Sequence, residues 1–362
     1  MHSLQRCKIT DRAVLYPQCK CNVKCIFCYF AYYPINKFPD IEKLKHQAFL
    51  AKNKYKCNKI EYCSTGEMSI YPDLYKLNEY CRSIGLLPSL ITNGLIYANE
   101  NRVKEVINSG LEHFLVSVHG IDNLSFIMGT PAIDYFKFLD KAIDNMQKHT
   151  QFYNRSNTVL IKYNYKQLPK LAKYFIKKKI KINNFISFNP FYEWVNMQYI
   201  DCQERHSIIA PYLKEAIDIL EEAGHEVNVR YFPFCMLKGY EKNQYNFQQL
   251  PYDPGEWFPP QWHSVDTDIS SQKLNVDMSK DVESLSNRIM RNIANNIYVK
   301  TNKCKVCSLN NICDGLTKQY FSRFGDDELE PYEGEIVNEP THFIKNRYKY
   351  LWEVNYATQN TL

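Results

Sequence analysis

The sequence predicts an α/β fold, a partial (six-unit) βα barrel followed by a smaller C-terminal region. Three observations carry this. Short runs rich in β-branched and aromatic residues alternate with stretches whose apolar residues recur at helical spacing, from about residue 13 to residue 224. Each strand-like run ends in a turn bearing Gly, Asn, Ser or His. About 200 residues are too few for eight such units with ordinary loops, whereas six fit.

The elements follow in order. Ala13-Val14-Leu15-Tyr16-Pro17 reads as a short strand. Asp40 is an N-cap candidate, and Ile41, Leu44, Ala48 and Ala51 recur at helical spacing after it. Lys59 to Cys63 is a second strand, closed by Ser64-Thr65-Gly66-Glu67. Pro72-Asp73 opens a helix with Leu74, Leu77, Cys81 and Ile84 on one face and Gly85 as its stop. Leu90-Ile91-Thr92 is the third strand, closed by Asn93-Gly94, and the helix marked by Val103, Val106 and Ile107 ends at Gly110.

Phe114 to Val118 is the fourth strand, ending at His119-Gly120, and Phe136, Leu139, Ile143 and Met146 line the helix after it. Thr158 to Ile161 and Phe185 to Phe188 are the fifth and sixth strands, separated by a helix carrying Leu168, Leu171 and Phe175. Ile209, Leu213, Ala216 and Leu220 stripe a helix that Gly224 stops. Val227 to Phe232 opens the second region, running into Pro233-Phe234-Cys235. Leu250 to Trp262 is rich in Pro and aromatics; Trp257 and Trp262 mark either a lid or a surface loop. Residues 264–286 read as a connector, 326–339 as an acidic stretch, and Phe343 to Trp352 as a final helix. Three units result: 10–224, 225–325 and 326–362.

Composition bounds the function. The chain of 362 residues is 45% hydrophobic and 23% charged, ordinary for a globular protein. With 12 Gly against 28 Tyr and 20 Phe, aromatic rings supply much of the buried area. A net charge of +6 is too weak to argue for nucleic acid, and the basic run Lys177-Lys178-Lys179 with Lys181 complements a helix end. The first eight residues hold no apolar signal core, and no run of about 18 apolar residues exists, so neither export nor a membrane is expected. Of 13 cysteines, six sit in two short-spaced sets, which points to metal rather than disulfides and to a cytoplasmic location. Cys57, Cys63, Cys81 and Cys202 read as small buried hydrophobes.

Parallel α/β folds bind ligands at the carboxyl ends of their strands. The cysteine run Cys21-Asn22-Val23-Lys24-Cys25-Ile26-Phe27-Cys28, Gly66-Glu67, Asn93-Gly94 and His119 all fall at such ends. Three thiols at C-x3-C-x2-C suit three corners of a four-iron cluster and leave one iron open. Zinc also takes thiols at short spacings, but a structural site would need a fourth ligand from Cys19 or a distant Cys or His.

The run resembles the cluster loop of radical S-adenosylmethionine (SAM) enzymes, C-x3-C-x-aromatic-C, with Phe27 at the aromatic position. The resemblance implies that Cys21, Cys25 and Cys28 bind a 4Fe–4S cluster whose fourth iron chelates SAM. One electron then cleaves SAM to methionine and a 5′-deoxyadenosyl radical that abstracts substrate hydrogen. A flavodoxin or ferredoxin is the implied electron donor. Thr65-Gly66-Glu67 is similar to the family's Gly-Gly-Glu motif, which holds the methionine amino group, with Thr in the first position. Ser117 matches a strand position that contacts SAM, and is otherwise a strand Ser bonded to backbone. Asn93 is either a cofactor contact or a turn residue. His119 is the candidate proton donor or substrate contact, or else structural, and Lys162 and Asn164 close the fifth strand nearby.

Cys304-x2-Cys307-x5-Cys313 resembles the auxiliary-cluster regions, of SPASM and twitch type, appended to many radical SAM enzymes. Thr317 stands where the longer SPASM pattern has a further Cys, so the twitch-like form fits better. Cys235 is the expected fourth ligand of a second 4Fe–4S cluster, with zinc as the other reading. The resemblance implies oxidoreductase- or lyase-type chemistry at an unactivated C–H position, on a peptide or on a small molecule such as a sugar, nucleoside or cofactor precursor. A peptide would be recognised through a partner or the C-terminal region, since the cysteine run begins by residue 21. A non-catalytic metal-binding or electron-transfer protein is the other class; Glu67 and the polar strand ends speak against it.

Overall fold

The computed structural model describes residues 2–3, 12–32, 34–54, 56–150, 154–188, 201–252, 296–344 and 348–349. Seven parallel strands stand in sequential order in one sheet. They are β1 (Arg12–Leu15), β2 (Lys59–Tyr62), β3 (Leu87–Thr92), β4 (His113–Ser117), β5 (Arg155–Leu160), β6 (Ile182–Ser187) and β7 (Glu226–Arg230). The crossover helices are α1 (Ile41–Asn53), α2 (Leu74–Ser83), α3 (Glu100–Asn108), α4 (Tyr135–His149), α5 (Leu168–Lys177) and α6 (His206–Glu222).

Local chemistry sets the element ends. Asp40 caps α1 by accepting from the Glu42 amide. Gly94 turns β3 with φ of 79°, so the left-handed residue of that turn is the glycine and not Asn93. On the outer face, Ile60, Leu90, Phe114 and Val116 meet Leu74, Leu77, Val103, Leu139 and Ile143 in one continuous core. Burying such a side chain is worth about 1.5–3 kcal/mol, so the helices are held mainly by their apolar stripes.

The inner face is polar at its floor. Glu61, Ser89 and His113 are register neighbours on β2, β3 and β4 and are fully buried. Arg155 of β5 bonds both His113 Nε2 and the Glu61 carboxylate, and Arg12 of β1 lies 3.5 Å from the same carboxylate. A flat sheet would hold β2 and β5 roughly 14 Å apart. Their side chains meet because the sheet curls into a partial barrel.

The sheet runs one strand beyond the six-unit expectation. Val227–Phe232 reads as a strand in sequence, and its place is the corrected point: β7 pairs in parallel with β6, Asn184 opposite Asn228, and completes the barrel sheet. Its inward residues Glu226, Asn228 and Arg230 are polar, so the sequence gives no sign that this strand is buried on both faces.

After the barrel, β8 (Tyr298–Val299) and β9 (Leu316–Thr317) form a small antiparallel ladder that leads into α7 (Lys318–Phe324). Tyr320 of α7 stacks on His206 at 4.2 Å and accepts from the His206 amide, tying this region to the start of α6. Tyr348–Lys349 is a two-residue strand paired with His2–Ser3, where sequence periodicity predicts a helix. Trp257, Trp262 and the connector 264–286 lie outside the described residues. Among the described residues no helix is long and apolar enough to cross a membrane.

Candidate active site

The loop after β1 crosses the mouth of the barrel, and other strand ends hold it from several sides. The Thr65 amide donates to the Pro17 carbonyl and the Glu67 amide to the Lys20 carbonyl, prolonging the β1–β2 pairing past both strands. Thr65 Oγ1 accepts from the Cys19 amide. The Thr in place of a first Gly thus knots the loop to the strand end. On the far side the Lys24 and Ile26 amides donate to Met128 and Ile127, in the segment after β4. Two glycines let backbone meet backbone there. A Cβ on Gly66 would overlap the Cys19 and Lys20 carbonyls, and one on Gly129, at φ of 64°, would overlap the Lys24 carbonyl.

Cys21, Cys25 and Cys28 face one another from this loop. Burial pushes the Cys21 thiol up to about 11 and the Cys25 thiol far above its usual range, with the other thiols of the set adding to both. Burial likewise raises Cys28. Three thiolates this close and this dry repel each other unless a cationic group lies between them. Among the described residues no three Cys, His, Asp or Glu side chains close on one point as around a single ion. The donor set fits an iron–sulfur group.

Glu67 is 3% exposed. Its carboxylate accepts from the Ser69 amide (3.0 Å), Thr92 Oγ1 (2.8 Å) and the Asn93 amide (2.7 Å). Burial raises its pKa, and those donors oppose the rise. The residue therefore clamps β2 to β3, with one Oε2 lone pair beyond these three bonds. Asn93 Oδ1 accepts from the Leu95 amide while Nδ2 donates to Asn22 Oδ1 at 2.7 Å, so it both turns the chain and braces the cysteine loop. Ser117 is half-buried on the inner face, opposite Asn157.

Phe27 meets the His119 ring edge-on at 4.9 Å. His119 Nδ1 accepts from the Val159 amide, which leaves Nε2 to carry the proton. Burial pushes this imidazole down to about 4. At neutral pH it is a neutral donor and not a charged acid. The unfolded chain takes up a proton near pH 6.5, whereas native His119 does so only near 4. Stability is full above that window and falls as pH drops through it. The loss attributable to His119 is at most about 2 kcal/mol at pH 5. Urea midpoints at pH 7 and 5 should differ less in His119→Gln than in the wild type. Asn164 spends its side chain on the His119 and Val159 carbonyls and the Ile161 amide, so it holds a turn. Lys162 lies 3.7 Å from Asp201.

One feature of the inner face is illegible as a motif. Asn157, Asn184 and Asn228 stand level on β5, β6 and β7. Asn228 Nδ2 donates to Asn184 Oδ1 at 2.9 Å, and Asn184 Nδ2 to Asn157 Oδ1 at 3.0 Å. Asn is a poor strand former. Its appearance inside three successive strands is the one sequence signal for this rail.

A second cysteine group lies in the C-terminal region. Cys235, Cys304, Cys307 and Cys313 line one pocket together with Phe234, Leu309 and Leu329. Burial and the neighbouring thiols push Cys235 up to about 11 and Cys313 up to about 12. Amide N–H groups of Tyr332 and Gly315 point at the sulfurs of Cys307 and Cys313 (3.3 and 3.4 Å). Four thiols 78 residues apart at the extremes are brought together here, which spacing alone cannot show.

A curled parallel sheet of the α/β class carries a three-thiol loop across its mouth, at the strand ends where such folds bind ligands. Residues 15–175 match the family model of the radical SAM superfamily. The match spans less than half of the chain; enzymes of that superfamily work with a 4Fe–4S cluster and SAM. Among solved structures it is similar to "Native anSMEcpe with bound AdoMet and Cp18Cys peptide" (19% identity, 96% of this chain and 97% of that one, TM-score 0.56). It is also similar to SuiB of Streptococcus suis bound to S-adenosylmethionine (17%, 91% and 77%, 0.54) and to SuiB bound to precursor peptide SuiA (17%, 91% and 76%, 0.52). These likenesses are of fold. No curated protein matches the chain.

Proposed function

We propose that this enzyme reductively cleaves SAM and modifies an unactivated C–H position of a peptide, with Cys21, Cys25 and Cys28 as ligands of the catalytic cluster. The observation that carries the reading is the placement of three thiols on one loop at the mouth of the barrel, Cys25 and Cys28 partly buried and Cys21 at the exposed rim. These three residues would hold the cluster, which would supply the electron for reductive cleavage of SAM. Gly66 brings the strand end against the cysteine loop, Glu67 and its neighbouring carbonyls receive the methionine ammonium, and Asn93 and Ser117 border the cofactor. Phe27 shields the cluster and orients His119, whose Nε2–H faces a ligand as a neutral donor.

Cys235, Cys304, Cys307 and Cys313 hold a second 4Fe–4S cluster. Bound there, it would supply a site to accept or pass an electron. In this reading the core ends after β7, near residue 230, and the auxiliary region runs to about residue 325. The peptide class is favoured because structures of the same fold carry peptides in SuiB and anSMEcpe. The cytoplasm, with a flavodoxin or ferredoxin as donor, suits these cofactors.

The test is anaerobic reconstitution followed by reduction with dithionite in the presence of SAM. The expected product is 5′-deoxyadenosine, from a brown protein whose iron content matches two clusters. A colourless protein with stoichiometric zinc and no 5′-deoxyadenosine would overturn the proposal. Gly66→Ala should lower iron at the first site and cut 5′-deoxyadenosine formation about tenfold or more, because the added methyl displaces the loop backbone. Unchanged iron and rate would show that the loop tolerates the shift.

A further inference from the structure

We infer that the outer rim of the cysteine loop, centred on Lys20, Lys37 and Lys43 with Lys24 beside them, is the docking surface for an acidic one-electron carrier protein. This rests on the assignment of the catalytic cluster to Cys21, Cys25 and Cys28.

The loop that carries these thiols reaches the protein surface. Cys21 is exposed, and Lys20 and Lys24, both exposed, flank it and Cys25 in the chain. The Lys20 amide donates to the Lys37 carbonyl at 3.0 Å, which draws the segment before α1 alongside the loop. Lys20 Nζ lies 5.2 Å over the ring of Phe38. Beyond that ring a groove is lined by Gln18, Lys37, Phe38, Pro39, Asp40 and Lys43. A basic strip with an aromatic step in its middle therefore runs from the cluster ligands across to α1.

Among the described residues no ion pair joins Lys20, Lys24, Lys37 or Lys43 to an acid. Asp40 lies in the groove and caps α1 through the Glu42 amide, and Glu42 pairs with Lys45 at 2.9 Å, so four lysines stand around one carboxylate. Several other surface lysines of the barrel are matched, as Lys76 is to Asp73, Lys148 to Glu100 and Lys178 to Asp140 and Asp144. The basic run at Lys177 to Lys181 also carries unmatched charge, but it precedes β6 and lies at the opposite end of the sheet from the cysteines. Electron transfer falls steeply with distance, so a carrier seated there would be ineffective. A carrier at the rim has the cluster immediately beneath it. Low-potential flavin and iron–sulfur carriers are acidic around their redox centres, and opposite charge accelerates encounter. In the transfer the carrier is oxidised by one electron and the 4Fe–4S cluster is reduced by one.

The experiment uses reconstituted holoenzyme and SAM, with 5′-deoxyadenosine as the readout. Two reductants are compared: a reduced bacterial flavodoxin, and dithionite with methyl viologen as mediator. In Lys37→Glu/Lys43→Glu the flavodoxin-driven rate at low salt should fall about tenfold, while the viologen-driven rate stays within about twofold of wild type. The wild-type flavodoxin rate should drop with added salt and the variant's should not. Lys177→Glu/Lys181→Glu should match wild type with both reductants. A flavodoxin-driven rate that survives the Lys37/Lys43 reversal would overturn the docking surface and leave the cluster assignment intact. No product from wild type with viologen would instead overturn that assignment. Should the double Glu variant fold poorly, Lys37→Gln/Lys43→Gln decides: a reduced salt dependence supports the surface, and an unchanged one removes it.

Discussion

Cys25→Ala is expected to form no 5′-deoxyadenosine from SAM and dithionite, and to lose the iron of the first cluster while keeping that of the second. Cys25 is the middle thiol of its loop and is partly buried; burial, then Cys28 and Cys21 beside it, raise its pKa. Its sulfur lies 3.7 Å from that of Met128, which packs against it. Two thiols alone would leave the cluster with two of its three protein anchors, on a loop that Gly66 and Gly129 let pack closely against the strand ends. The auxiliary cysteines share no backbone with this loop, so the residual iron separates loss of one cluster from misfolding. Product formation at the wild-type rate would mean that these thiols do not carry the chemistry.

Glu61→Gln is expected to destabilise the protein by about 3–5 kcal/mol, although Glu61 lies at the barrel floor, away from the cysteines. Its carboxylate is fully buried and is shared by Arg12, Arg155 and Ser89 Oγ, the last at 3.0 Å. The substitution keeps the shape and removes the charge, so two buried guanidiniums lose their shared anion. Burial together with the two arginines lowers the pKa of His113 far below its usual range, so the ring stays neutral and supplies no anion in place of the carboxylate. The measurement is the urea unfolding midpoint of the wild type and the variant at the same pH. A difference within about 1 kcal/mol would show that other groups carry the pairing. Because Glu61 and Arg155 join strands three apart, part of the loss should appear as relaxed barrel curvature and weaker SAM binding at the mouth.

Much of the fold is legible in the chain. The strands named from β-branched and aromatic runs lie where the runs are, and the stops at Gly85, Gly110 and Gly224 are glycines with positive φ in the structure. Local sequence decides these features, because capping, turn chemistry and periodicity act within a few residues. The place of β7 is not local. Pairing is a choice among edges, and only the completed sheet shows that β6 offers the open one. Asp40 was legible as a cap and is one, whereas Gly66 and Asn93 were visible as residues without the contacts that fix them. Gly66 is required by the Cys19 carbonyl, 47 residues away, and Asn93 by Asn22, 71 residues away.

The sequence by itself determined the alternation of strands and helices, the three-thiol loop after the first strand, and the chemistry its sulfurs can support. Tertiary structure alone decided that the thiols face one another over the barrel, that Cys235 joins the three cysteines far beyond it, and that a row of asparagines and a buried Glu61–Arg155 contact line the interior. The physical reason is range. Spacing and propensity operate along the backbone, whereas desolvation and charge pairing depend on which distant side chains the curled sheet brings within a few ångströms.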